Sequence, residues 1–362
     1  MLIGFTLGRY LSARFLKTIL AMFGTVFALV YTLDFVELMR RAGDSEGATP
    51  GLMAQLALFR TPSVAEQIFP FAVLFGSMAA LLQLSRRLEL VVARAAGISA
   101  WQFLQPGVFV AIAIGVLSVA VYNPVSAFLK LKASEIEARI FARTAKVVSG
   151  KDLWIRQRSA DGQAIIRAET AFEKTTTLAG VTVFAFDDGG AFSERIEARE
   201  ATLRDGYWEL TEARVVSPSA EPQSYGTLLL ASNLEPSQVR QRFTPPESVP
   251  FWELDETISR TERAGLDATR YRLHYDVLMA RPLLFVAMVF VAASVSLRFF
   301  RFGGVGPMVL GGVAAGFMLY VATELMEDLG ASGLVVPAVA AWFPAVVGSL
   351  LGTLALLYQE DG

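Results

Sequence analysis

Two short charged runs are the candidates for chemistry in this chain. The first is Asp34-Phe35-Val36-Glu37-Leu38-Met39-Arg40-Arg41. A guanidinium pairs with a phosphate through two parallel hydrogen bonds. Arg40 and Arg41, with Glu37 and Asp34 beside them, therefore suit the phosphates of an anionic head group. Arginines at the end of an apolar run also anchor a helix by snorkelling to the bilayer surface, and the residues alone leave both readings open. The second run, Ser85 to Ser99, carries Arg86, Arg87, Glu89 and Arg94 on an amphipathic stretch ended by Gly97. It reads either as a basic loop on the membrane surface or as a short helix on which a cytoplasmic partner docks.

Other chemistries lack their residues. The chain has no Cys and one His, His274. Thiol catalysis, thiolate or imidazole metal sites and His-based triads are not expected. Gly150-Lys151 is followed by Asp152 and lacks a glycine five residues earlier, so it is no phosphate-binding loop. No HExxH, nucleophile elbow or Gly-rich dinucleotide loop occurs. The expectation is a protein without its own catalytic centre, metal or cofactor. A net charge of −2 gives no reason to expect a nucleic-acid partner.

The elements that position these runs are membrane helices. Of 362 residues, 54% are apolar and 18% charged, against about 25% charged in ordinary soluble domains. A spanning helix needs roughly 20 mostly apolar residues. Six such runs are expected, at about 15–39, 56–84, 101–121, 277–297, 305–325 and 337–358. Pro62 and Pro70 should kink the second or break its beginning. The uncharged run Thr18–Leu33 is longer than a signal-peptide core, so it reads as a retained first span. Glycines at 303, 304, 306, 311, 312 and 316 would allow close helix approach. Arg9, Arg14, Lys17, Arg86, Arg87, Arg94, Arg298 and Arg301 fall on one side of this threading. The positive-inside rule makes that side, with both termini, cytoplasmic.

Between spans three and four the character changes. Residues 130–146 read as a solvated helix continuing outward. Short β-branched and aromatic runs follow (153–155, 164–166, 181–186, 207–210), separated by Asp161-Gly162, Asp187-Asp188-Gly189-Gly190 and Asp205-Gly206. Alternation with Asp-Gly turns predicts an antiparallel all-β module, a sandwich or jelly roll. A polar helix over about 253–263 leads back to span four. The fold class is thus membrane α-helical, three spans plus three, with an inserted jelly-roll-like β domain outside the cytoplasm. The expected divisions are 1–129, 130–270 and 271–362.

With these residues assembled, the chain resembles the YjgP/YjgQ-type family of lipopolysaccharide export permeases over essentially its whole length. The resemblance rests on Asp34 to Gly43, Gln67-Ile68-Phe69-Pro70, Glu89-Leu90-Val91-Val92 with Ala96-Gly97, and Gly265 to Tyr271. It is nearer the family's LptG branch than its LptF branch. The resemblance implies one half of an ABC transporter in the inner membrane of a Gram-negative type bacterium. Its partners would be an LptF-like permease, an LptB-like ATPase dimer, LptC, and an LptA-like periplasmic bridge that receives the lipopolysaccharide. The β domain would then be periplasmic. The family's coupling helix would fall on about 85–94, with Glu89 as its acidic residue, and Arg40 and Arg41 on positions that contact lipid phosphates. Asp34 departs, because the better-known members of the family carry a basic residue there.

Rival readings remain at this point. One is the LptF-like half of the same transporter. Another is a membrane-anchored periplasmic ligand-binding sensor or scaffold, for which the short inner loops leave little room. A third, a lipid-modifying enzyme, would need polar groups at membrane depth, with Glu66 and Glu324 as its main candidates near the outer surface.

Overall fold

A computed structural model describes residues 4–43, 49–140, 153–159, 162–171, 177–186, 191–217, 221–232, 245–263, 267–302 and 305–361. The chain divides into two compact units, residues 1–140 with 246–362, and residues 141–245.

The first unit is helical. Its long helices are α1 (Phe5–Ala42), α2 (Pro50–Arg86), α4 (Ala100–Leu117), α5 (Asn123–Ile140), α7 (Thr269–Phe302), α8 (Val305–Ala331) and α9 (Pro337–Asp361). Two shorter ones are α3 (Glu89–Ala95) and α6 (Phe251–Arg263). A π-helical turn, Ser118–Tyr122, joins α4 to α5, so the third span and the exit from it form one rod. Six helices are long and apolar enough to cross a membrane, as expected. Thr49 caps α2 by accepting from Leu52 N at 3.4 Å, with Pro50 in the first turn. Contrary to a broken beginning, α2 passes through Pro62 and Pro70 as one continuous helix. Each proline deletes one ladder bond, a loss that neighbouring helices make tolerable.

The spans meet most closely where glycine permits it. A Cβ at Gly76 of α2 would stand 2.5 Å from the Cα of Ile19 in α1. One at Gly115 of α4 would stand 2.5 Å from the Cα of Pro282 in α7. These two contacts were not singled out in the sequence. Of the glycines that were, Gly312 and Gly316 of α8 face Met78 and Leu74 of α2, while Gly306 faces open space. Gly303 and Gly304 lie outside the described residues. The buried core runs through Phe15, Ile19, Phe69, Val73, Phe103 and Phe285.

The second unit is an antiparallel sheet: β1 (Leu153–Ser159), β2 (Gly162–Ala171), β3 (Thr177–Phe186), β4 (Phe192–Arg204), β5 (Tyr207–Val216) and β6 (Gln223–Ala231). The described strands pair in chain order, β1-β2-β3-β4-β5-β6, an up-and-down connectivity. Alternate residues bury one face, with Ile166, Val183, Ile196, Trp208 and Leu210 at its centre. Trp208 Nε1 donates to Gln157 Oε1 at 3.1 Å, and Ser232 Oγ to the same oxygen at 2.7 Å, so the indole is buried without an orphan donor. Gly206, φ 88°, makes the Asp205-Gly206 turn between β4 and β5. The turn at 187–190 and the expected helix over 141–146 lie outside the described residues.

Candidate functional site

The arginine pair ends α1, where the helix's own carbonyls favour cations. Arg40 grips Glu37 with two bonds, Nε to Oε2 and Nη2 to Oε1, both 2.8 Å. Arg41 Nε donates to Glu37 Oε1 at 2.7 Å. The arginine side chains remain 74% and 57% exposed. Pairs this exposed are screened by water and hold only weakly. Glu37 therefore organises the two guanidiniums without consuming them, and an incoming phosphate can take its place.

Asp34, one turn earlier, belongs to a different group. Its Oδ1 lies 3.4 Å from Arg60 Nη2 of α2, and its side chain is 17% exposed. Arg60 Nη1 also donates to Glu137 Oε1 of α5 at 2.5 Å. The four residues grouped in the sequence thus separate: Glu37, Arg40 and Arg41 share one exposed cluster, and Asp34 faces inward to Arg60. Arg60 and Glu137 were not anticipated. An acidic residue mid-way between an apolar span and its basic end was the only signal that a second-span cation would be near.

At the other end of α1, α3 follows a tight turn. Arg86 is the last residue of α2, and Leu88 sits at φ 60°, a left-handed conformation costly for a branched side chain. The short helix covers Glu89–Ala95, shorter than the expected 85–94 at its start because of this turn. Gly97, φ 82°, ends it: Gly97 N donates to Arg94 O at 3.0 Å and Ile98 N to Ala93 O at 3.1 Å. That bond pair is the Schellman stop. Ser99 then opens α4 through a reciprocal capping box with Gln102. Leu90 and Ala93 anchor α3 in the core, while Leu88, Val91 and Val92 project outward beside exposed Arg86, Arg87 and Arg94. Tyr10 OH of α1 donates to Glu89 Oε1 at 3.1 Å. The result is a firmly placed, two-ended helix showing an apolar and basic face.

A third polar group lies inside the bundle. Arg281 Nη1 of α7 donates to Glu66 Oε1 of α2 at 2.5 Å, with side chains 12% and 11% exposed. Asn123 Nδ2 reaches the same oxygen at 3.0 Å. Glu66 is therefore committed to an ion pair, which removes one of the two carboxylates a membrane-depth enzyme would use; Glu324 is exposed on α8. Arg281 was missed, although an arginine inside an apolar span signals a buried partner. His274, expected just before span four, lies within α7, and its Nε2 is buried without a hydrogen-bond partner among the described residues. Among those residues no cluster of His, Asp and Glu is arranged to hold a metal.

Comparisons with known proteins cover almost the whole chain. Residues 9–359 match the family described as lipopolysaccharide export system permease LptF/LptG. The chain is 23% identical over 361 residues to the lipopolysaccharide export system permease protein LptG of Escherichia coli K12, covering 98% of each. It is 25% identical over 362 residues to the LptG protein of Haemophilus influenzae, covering 96% of this chain and 95% of that one. A six-span bundle with an inserted β unit and a match from one end to the other together place the chain in the LptF/LptG family of lipopolysaccharide export system permeases.

Proposed function

We propose that the chain is the membrane half of an ABC-type exporter. It takes lipopolysaccharide from the outer leaflet of the inner membrane and passes it to a periplasmic bridge. One observation carries the reading: a single continuous helix, α1, presents exposed arginines at one end and meets α3 at the other. The two ends, Tyr10 and Arg40, are about 45 Å apart at 1.5 Å per residue. That span supports a reading in which a phosphate-binding rim and a partner-docking helix stand on opposite sides of a bilayer.

In this reading the α3 end of the bundle, with the termini, faces the cytoplasm, and Arg40, Arg41 and residues 141–245 face the periplasm. An LptB-like ATPase dimer docks on Leu88, Val91 and Val92, with Arg86, Arg87, Glu89 and Arg94 around them. Arg40 and Arg41 exchange Glu37 for the lipid's phosphates. The flanks of α1 and α8, with Leu29, Leu33, Leu310 and Met318 exposed, enclose with an LptF-like permease a cavity that keeps acyl chains from water. Exposing those chains would cost about 0.8 kcal/mol for each CH₂, so the route stays apolar until LptC and an LptA-like bridge receive the lipid. The similarity to two LptG proteins supports the LptG half over the LptF half.

The test is reconstitution of the chain with a second permease, the ATPase and a periplasmic acceptor in vesicles containing lipopolysaccharide. ATP-dependent release to the acceptor is expected, together with lipid crosslinks from a photoreactive residue at position 40. Release that ignores ATP refutes the reading. Stable assembly with an authentic LptG, and not with LptF, would reverse the choice of half.

A further inference from the structure

The helix that leaves the bundle toward residues 141–245 and the helix that returns from them meet at one buried amide. The π turn Ser118–Tyr122 loosens the carbonyl ladder just before α5. α6 fills the gap: Trp252 Nε1 donates to Ala120 O at 3.1 Å, and Phe251 N to Asn123 Oδ1 at 3.0 Å. Asn123 is 1% exposed. Its other end, Nδ2, donates to Glu66 Oε1, which also receives Arg281. Tyr122 OH bonds Pro62 O of α2 at 3.0 Å, and Phe251 stacks on Tyr275 of α7 with centroids 5.4 Å apart. The amide offers an acceptor to a backbone N–H and, from its other end, a donor to a carboxylate; an ionised Asp of the same shape lacks the donor and Leu lacks both.

We propose that Asn123, held by the Glu66–Arg281 pair, is a positioning residue for export. It locks α6 to α2 and α7, so that movement of α2 is carried to both helices bracketing residues 141–245 in the chain. α2 is suited to this role because it ends at Arg86, beside the docking helix α3, about 30 Å along the helix from Glu66. The inference rests on the export reading and adds to it a route by which ATPase closure reaches the β unit.

The experiment compares complete reconstituted complexes carrying the unaltered chain, Asn123→Leu or Trp252→Phe. ATP hydrolysed and lipopolysaccharide released are measured per assembled complex. Asn123→Leu should keep hydrolysis within about twofold while release per ATP falls about tenfold or more; Trp252→Phe, which loses one bond at an exposed ring, should lower that ratio about threefold. The absence of native Cys also permits a clean spin-label pair at positions 64 and 255, on α2 and α6. Their separation should stay fixed on ATP binding in the unaltered complex, because the lock moves α2 and α6 together, and should shift in Asn123→Leu. An unchanged ratio, a parallel fall of hydrolysis and release, or the same distance response in the variant as in the unaltered complex overturns the proposal. If Asn123→Leu does not assemble, Trp252→Phe decides by the same criteria. If the unaltered complex releases no lipid, the export reading fails, while the distance measurement, which needs only the ATPase, still judges the node.

Discussion

Replacing Glu66 by Leu should destabilise the bundle more than any surface change. Two losses combine. Arg281, 12% exposed, would keep its charge with its carboxylate partner gone, and breaking a buried pair from one side costs about 3–5 kcal/mol. Asn123 Nδ2, also buried, would lose its acceptor, a further cost of about 1–3 kcal/mol. Arg281→Leu alone leaves Glu66 with Asn123 as its remaining donor and should cost about 3 kcal/mol. The double variant Glu66→Leu/Arg281→Leu removes both charges and strands only the amide, so it should cost about 1–3 kcal/mol, less than either charge deletion. The assay is thermal unfolding of the purified complex in one detergent at one protein concentration, read as a double-mutant cycle. A coupling energy of about 2 kcal/mol or more is expected; costs that simply add would refute the account of the pair as a buried, mutually dependent unit.

Three more outcomes follow from the geometry. Arg40→Ala with Arg41→Ala should reduce lipopolysaccharide crosslinking at the end of α1 about tenfold while leaving the melting midpoint unchanged, because the pairs lost are exposed; crosslinking yield and a melting curve check both parts. Gly115→Val places a side chain against the backbone of Pro282, and overpacking of this kind costs about 1–3 kcal/mol, visible as a lowered midpoint in the same melt. Leu88→Gly relieves the left-handed φ of 60° and should stabilise the turn by about 1 kcal/mol, yet it removes an exposed apolar contact; ATPase co-purification should therefore weaken while the chain melts higher.

The membrane architecture was legible because hydrocarbon leaves the sequence little freedom: a run such as Thr18–Leu33 has to be a helix. The stop at Gly97 was equally legible, since a left-handed cap favours glycine. β4 was not read as a strand. Its Ser193-Glu194-Arg195-Ile196-Glu197-Ala198-Arg199-Glu200-Ala201 has the composition of a solvated helix. Only pairing with β3 and β5 makes its alternation of Ile196, Ala198, Ala201 and Leu203 decisive. The site was half legible. Adjacent arginines announce themselves, but the partner of Asp34 is 26 positions away on another helix, and that of Glu66 is 215 positions away. Pairing across helices depends on which faces meet, and one sequence does not encode that locally.

The π turn before Asn123 also sets an angular phase. A regular helix advances about 100° per residue, so deleting one residue between Ser118 and Tyr122 would swing everything after it by more than a quarter of a revolution. Asn123 would then point away from Glu66, and α5 would turn a different face toward α2. The rotational setting of α5 about its own axis is thus stored in a residue count, which insertions and deletions disturb and point substitutions do not.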